Sequence, residues 1–214
     1  MTPRKLLRVL ALACLVFAPA FATAQSYEAL ISAVNRGDIP TSIKLLDQGL
    51  DPNSADGTGN TLLMIASRLG HLELARFLVD RKANVTRRSP HGDTALMFAS
   101  LKGQLAIARI LVDKGARISH GGWAPLHYAA FEGRTEVLKF LLEKGADKNA
   151  LAPNGYSALM LAAHGGHLDA ARALLYEDAE LRVKGPAGET ALGIAIARKD
   201  VGLEGLLRRA GAVD

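Results

Sequence analysis

The sequence predicts an all-α solenoid of six stacked helix–turn–helix units joined by short β-hairpin fingers. Three observations predict it. Segments akin to Ala124–Arg134, APLHYAAFEGR, recur at Thr61–His71, Thr94–Gln104, Ser157–His167 and, more loosely, Thr190–Asp200. Their opening residues Thr61, Thr94, Ala124, Ser157 and Thr190 are spaced by 33, 30, 33 and 33. Two glycine-rich turn markers hold the same register, one at Gly37, Gly70, Gly103, Gly133 and Gly166, the other at Gly49, Lys82, Gly115, Gly145, Asp178 and Gly211. A catalytic motif is needed once, whereas a fixed period of this length is the signature of stacked units that share one core.

The chain is expected to begin with a secretory signal peptide over residues 1–24. Arg4, Lys5 and Arg8 form a positive start, Val9–Ala18 an apolar run, and Ala22-Thr23-Ala24 a small-x-small cleavage site. The run is shorter than the roughly 20 apolar residues that span a bilayer, so no stable membrane anchor is expected. Cleavage after Ala24 would remove Cys14, the one cysteine, leaving a chain with no disulfide, thiol nucleophile or thiolate metal site. It would also lower the formal charge from +5 to +2, because Arg4, Lys5 and Arg8 leave with it. A near-neutral remainder argues against nucleic acid as a partner. The predicted repeat domain covers residues 25–214, with repeats at approximately 27–58, 59–91, 92–121, 122–154, 155–187 and 188–214.

Each unit then follows from its residues. Thr61, Thr94, Ser157 and Thr190 are placed to cap a first helix by accepting from an unpaired backbone N–H, and Pro125 suits the first helical position. Leu30, Leu63, Leu96, Leu126, Leu159 and Leu192 are expected in the core. Three residues after each leucine stands Ala33, Ala66, Ala99, Ala129, Ala162 or Ala195, small enough for neighbouring helices to approach closely. The second helices carry paired apolar residues such as Leu78-Val79 and Leu141-Leu142. At the ends the pattern turns polar, with Thr41-Ser42 in the first unit and Leu207-Arg208 in the last, as solvent-facing terminal units require.

The period and the segment Ala124–Ala129, APLHYA, resemble the ankyrin repeat and its usual T-P-L-H-x-A. The resemblance covers about Ser26 to Ala212, with degenerate first and last repeats. Met64, Met97 and Met160 stand where the family has histidine. The resemblance implies a non-enzymatic protein-interaction module. It also implies that finger tips and late positions of the first helices form a concave binding surface. That rule points to Arg68, Leu69, Leu101, Lys102, Phe131 and His164 on helices, and to the finger positions Asn60, Asp93, Trp123, Tyr156 and Glu189, of which Trp123 and Tyr156 are taken as contacts. Arg87 and Arg88, the only basic doublet on a finger, and the finger residue His91 are further candidate contacts. Trp123 is the only tryptophan, and Tyr156 is its equivalent one repeat on. The rings are read either as a contact surface or as cover for underlying leucines. The finger before Trp123 is three residues short, which is expected to open a notch beside Trp123 and Tyr156.

No chemistry competes with this reading. The chain contains no G-x-S-x-G, H-E-x-x-H, phosphate loop or dinucleotide fingerprint. His127 is expected to hydrogen-bond local backbone, and His71 and His167 to cap or pack at the start of second helices. His164 and His167 are three apart, but Gly165 and Gly166 should end the helix between them, so no metal site is expected. His91 and His120 lie on neighbouring fingers. The functional expectation is a protein without cofactor, monomeric on its own, exported to the periplasm or secreted. It would bind a protein as an accessory factor or an inhibitor. A small-ligand or metal binder using the notch is the alternative, and an enzyme less so.

Overall fold

A computed structural model of the chain describes residues 25–119 and 121–213. The signal-peptide expectation for residues 1–24 and the finger position of His120 lie outside the described residues. Twelve helices follow one another among those described. They are α1 (25–36), α2 (Ile39–Asp47), α3 (Leu62–Leu69), α4 (Leu72–Asp80), α5 (Ala95–Lys102) and α6 (Leu105–Asp113). Then come α7 (Pro125–Phe131), α8 (Thr135–Glu143), α9 (Ala158–Gly165), α10 (Leu168–Tyr176), α11 (Ala191–Ala197) and α12 (Val201–Arg209). First helices pack on first helices from α3 to α11, and second helices on second helices from α2 to α12. The result is a two-layered all-helical solenoid.

The helix starts are set as their residues dictate. Thr61 Oγ1 accepts from Met64 N–H and Thr94 Oγ1 from Met97 N–H, both at 3.3 Å. Ser157 and Thr190 cap α9 and α11 in the same way, at 3.4 and 3.1 Å. The methionines do more than fill space. Met64 Sδ accepts from Thr61 N–H at 3.4 Å and Met97 Sδ from Thr94 N–H at 3.2 Å. Sulfur is a weak acceptor, yet it occupies the place His127 fills in α7, where Nδ1 accepts from Ala124 N–H at 3.0 Å. With Nδ1 accepting, His127 Nε2 carries the proton and donates to Ala150 O at 2.9 Å. Local backbone bonding of His127 is thus observed, with a second bond reaching the following finger.

The core is continuous from Leu30 to Ala212. The six repeated leucines and their six alanines are all buried. Two expectations need correction. Ser42 does not face solvent: it is fully buried, and its hydroxyl donates to Asp38 O at 2.7 Å. Bonding back one turn satisfies the hydroxyl, so a small polar side chain fits where three of the four inner repeats place alanine. At the other end the polar face is real, for Leu207 is buried while Arg208 is exposed and pairs with Glu204 at 2.9 Å. The second correction concerns the fingers. Among the described residues they hold no strand, only the single antiparallel bridges Ala55–Thr61 and Leu151–Ser157. Four fingers close as tight turns instead, with Asp56 N–H donating to Asn60 O at 2.8 Å, Ser89 N–H to Asp93 O at 2.8 Å, Ala152 N–H to Tyr156 O at 2.9 Å and Gly185 N–H to Glu189 O at 2.8 Å. The helix cap follows the turn at once, leaving no length for a ladder.

His71 and His167 cap nothing; neither side chain bonds the helix it precedes. They join repeats. His167 Nε2 donates to Phe131 O at 2.9 Å, and Arg134, its equivalent one repeat earlier, donates through Nε to Leu101 O at 3.1 Å. The His71 ring also lies against the preceding unit, at Gly37, where a Cβ would come within 2.9 Å of Cε1, but its buried Nε2 makes no such bond.

Candidate partner-binding cleft

The fingers and first helices place Trp123, Phe131, Tyr156 and His164 around one cleft of about 420 Å³. Trp123 precedes the start of α7 and Phe131 ends it, so one short helix sets both rings. Tyr156 precedes the Ser157 cap of α9, and His164 lies in the last turn of that helix. Trp123 is half-buried. Its ring stands edge-on to His127, with centroids 6.0 Å apart, and tilted against Tyr128 at 5.6 Å. Tyr156 and His164 meet edge to face at 6.4 Å. Phe131 keeps 42% of its surface exposed, which is unusual for a phenylalanine that could have packed inward. The rings therefore both cover the core and face the cleft.

The remaining wall is the finger that precedes α11. Pro186, Ala187 and Glu189 line the cleft together with Asn154 and Leu161. Ala187 N–H donates to Glu189 Oε2 at 2.9 Å. The Tyr156 hydroxyl facing Glu189, aided by backbone N–H groups, holds the carboxyl below the usual carboxylate range. The facing carboxylate in turn raises the Tyr156 phenol. One repeat earlier, burial together with a 2.9 Å bond from Tyr128 Oη to Asp93 Oδ1 raises the Tyr128 phenol well above its ordinary value.

The sequence placed the notch correctly in part. The shortened finger borders a separate hollow of about 300 Å³, lined by Ile118, Ser119, Ala124, Leu126, Ala146, Asp147 and Ala150. Trp123 and Tyr156 face the other way, toward the next two fingers. Glu189 holds the same finger position as Trp123 and Tyr156, one full period of 33 after Tyr156, and lines the cleft with them. Leu161 gave no signal, since it sits in an apolar helix that reads as core. Arg68, Leu69, Leu101, Lys102, Arg87, Arg88 and His91 do not line the cleft. Arg68 stands 6.0 Å from the Phe98 ring, and Arg87, Arg88 and His91 are exposed on their finger. His164 and His167 do not converge, because His167 is turned to Phe131 O. Among the described residues, no three His, Cys, Asp or Glu side chains gather as metal ligands, and no helix is long and apolar enough to cross a membrane.

The chain belongs to the ankyrin-repeat family. Sequence models of ankyrin repeats match residues 11–89, 30–120, 82–152 and 154–185. The chain is 32% identical over 128 residues to ankyrin repeat and SAM domain-containing protein 6 of Mus musculus, a match spanning 58% of this chain and 11% of that protein. It is 27% identical over 127 residues to the E3 ubiquitin-protein ligase hecd-1 of Caenorhabditis elegans, spanning 59% of this chain and 4% of that protein. The chain thus spans a small part of the curated relatives it matches, and these are eukaryotic. Among solved structures, the human ASB11 ankyrin repeat domain superposes with a TM-score of 0.81 at 26% identity, over 86% of this chain and 84% of that one. Ankyrin-repeat domains are protein-interaction modules, in general without enzymatic activity.

Proposed function

We propose that the protein is an exported, non-enzymatic interaction module that holds a protein partner on its concave finger face. In the periplasm it would serve as an accessory factor or as an inhibitor of that partner. The observation that carries this reading is the cleft at Trp123, Phe131 and Tyr156. Aromatic side chains beside a polar rim are the usual composition of binding hot spots. A stiff stack presents them preformed, so little ordering free energy is lost on association. Export rests on the positive start, the short apolar run and the Ala22-Thr23-Ala24 motif.

Affinity capture from periplasmic extract tests the binding. The intact protein should retain a specific partner, and a triple variant Trp123→Ala, Phe131→Ala, Tyr156→Ala should lose it while keeping its helical circular dichroism. Undiminished capture by the folded triple variant overturns the assignment of the face. For export, a reporter fused to the whole chain should reach the periplasm, and one lacking residues 1–24 should stay in the cytoplasm.

A further inference from the structure

The cleft has an uneven chemistry. Three aromatic side chains, Trp123, Phe131 and Tyr156, border it, and its one carboxylate is Glu189. No lysine or arginine lines it. Among the described residues, no basic side chain stands within ion-pair distance of Glu189. Glu189 is not a casual surface charge. The Ala187 N–H donates to its Oε2 at 2.9 Å, which fixes the direction of the carboxylate and leaves it lone pairs for a further donor. Its place is also crowded: a Cβ on Gly185 would come within 2.6 Å of Glu189 Oε1, so the carboxylate is packed against the backbone of its own finger.

Aromatic faces with an oriented carboxylate attract a cation that is planar and weakly hydrated. A guanidinium meets both demands, stacking on rings while donating in a fork to carboxylate oxygens. An ammonium is more strongly hydrated and cannot stack. The formal charge, +5 for the whole chain and +2 without residues 1–24, provides no long-range attraction for a basic partner. Recognition must therefore come from contact in the cleft. We infer that this cleft takes an arginine side chain of the protein partner, its guanidinium against Trp123, Phe131 and Tyr156 and paired with Glu189. This rests on the partner-binding reading of the same face and specifies the chemistry that the partner presents.

Trp123, the sole tryptophan, reports the event directly. The intact protein is titrated with capped pentapeptides Gly-Gly-Xaa-Gly-Gly at constant chloride, with Xaa as arginine, citrulline, lysine, leucine or glutamate. The arginine peptide should change Trp123 emission saturably, with a dissociation constant at least about tenfold below that of its neutral isostere citrulline and below that of lysine. Glu189→Gln should abolish the preference for arginine over citrulline. Phe131→Ala should weaken both peptides and keep the preference. Unchanged circular dichroism and melting temperature establish that each variant is folded. The arginine assignment is overturned if citrulline, lysine, leucine or glutamate binds as tightly. It is equally overturned if arginine gives no saturable change up to about 10 mM, or if Glu189→Gln retains the preference. Capture by the triple aromatic variant separates the two readings. Loss of capture with no arginine preference removes only the arginine assignment, whereas undiminished capture removes the binding face itself.

Discussion

At the scale of single residues, the motif is a set of hydrogen-bonding tasks, and different chemistries perform the same one. His127 Nδ1, Met64 Sδ and Met97 Sδ all accept from the N-cap backbone N–H of their own helix. Methionine therefore replaces histidine without orphaning that donor, but only histidine has a second nitrogen for the next finger. Tyr128 supplies a comparable tie to Asp93, and its titration gives it a pH signature. Its phenol is raised in the folded state by burial and then by the bond to Asp93. Folding thus favours the neutral phenol, so this contribution is fully present below the unfolded value of about 10 and is lost as pH rises above it. Tyr128→Phe should lower stability at pH 7 by about 1 kcal/mol. It should also flatten the fall in stability above pH about 10, read by urea unfolding across pH.

At the scale of elements, each helix–turn–helix is finished by its neighbour. Gly133 ends α7 with φ +65°, and the His167 ring of the next unit occupies the space a side chain would need, 2.5 Å from an added Cβ. Gly145 also has positive φ, +85°, with nothing within 4 Å of an added Cβ. The pair separates backbone strain from crowding. Gly145→Ala should cost about 1–2 kcal/mol, the left-handed penalty alone. Gly133→Ala should cost about 1–3 kcal/mol more, because His167 is displaced from Phe131 O. His167→Ala in the Gly133→Ala background should then cost little further. Thermal and urea unfolding of the three variants beside the parent protein checks this. Lys82, Asp178 and Lys199 hold positive φ without being glycine, so the register at these turns survives a modest local strain.

At the scale of the whole molecule, stability is the sum of units and the interfaces between them. Leu126 lies fully buried in α7, and α7 packs on both α5 and α9. Leu126→Ala should cost about 2–5 kcal/mol. Because the loss falls in the middle of the stack, it should uncouple the two ends and give a broadened or two-step urea transition. A single sharp transition with an unchanged slope would show that the stack unfolds as one unit despite a weakened centre.

The sequence by itself determined the solenoid, its register and its core. Those depend on short-range periodicity: every repeat places the same leucine and alanine at the same offset, and four of the six add a capping Thr or Ser. It also indicated Trp123, Phe131 and Tyr156, since aromatic residues at positions a repeat does not need are visible against the period. Tertiary structure alone decided which of the selected residues share a cleft. Arg68, Leu69, Leu101 and Lys102 follow the same positional rule as Phe131 and His164, yet they do not line the cleft. It alone showed Ser42 buried, His167 bonded across to Phe131, and Glu189 sharing one cleft with Tyr156. The physical reason is common to all three. A repeat pattern encodes which face a residue occupies, whereas contacts between units depend on how closely neighbours pack and which donors they leave unfilled.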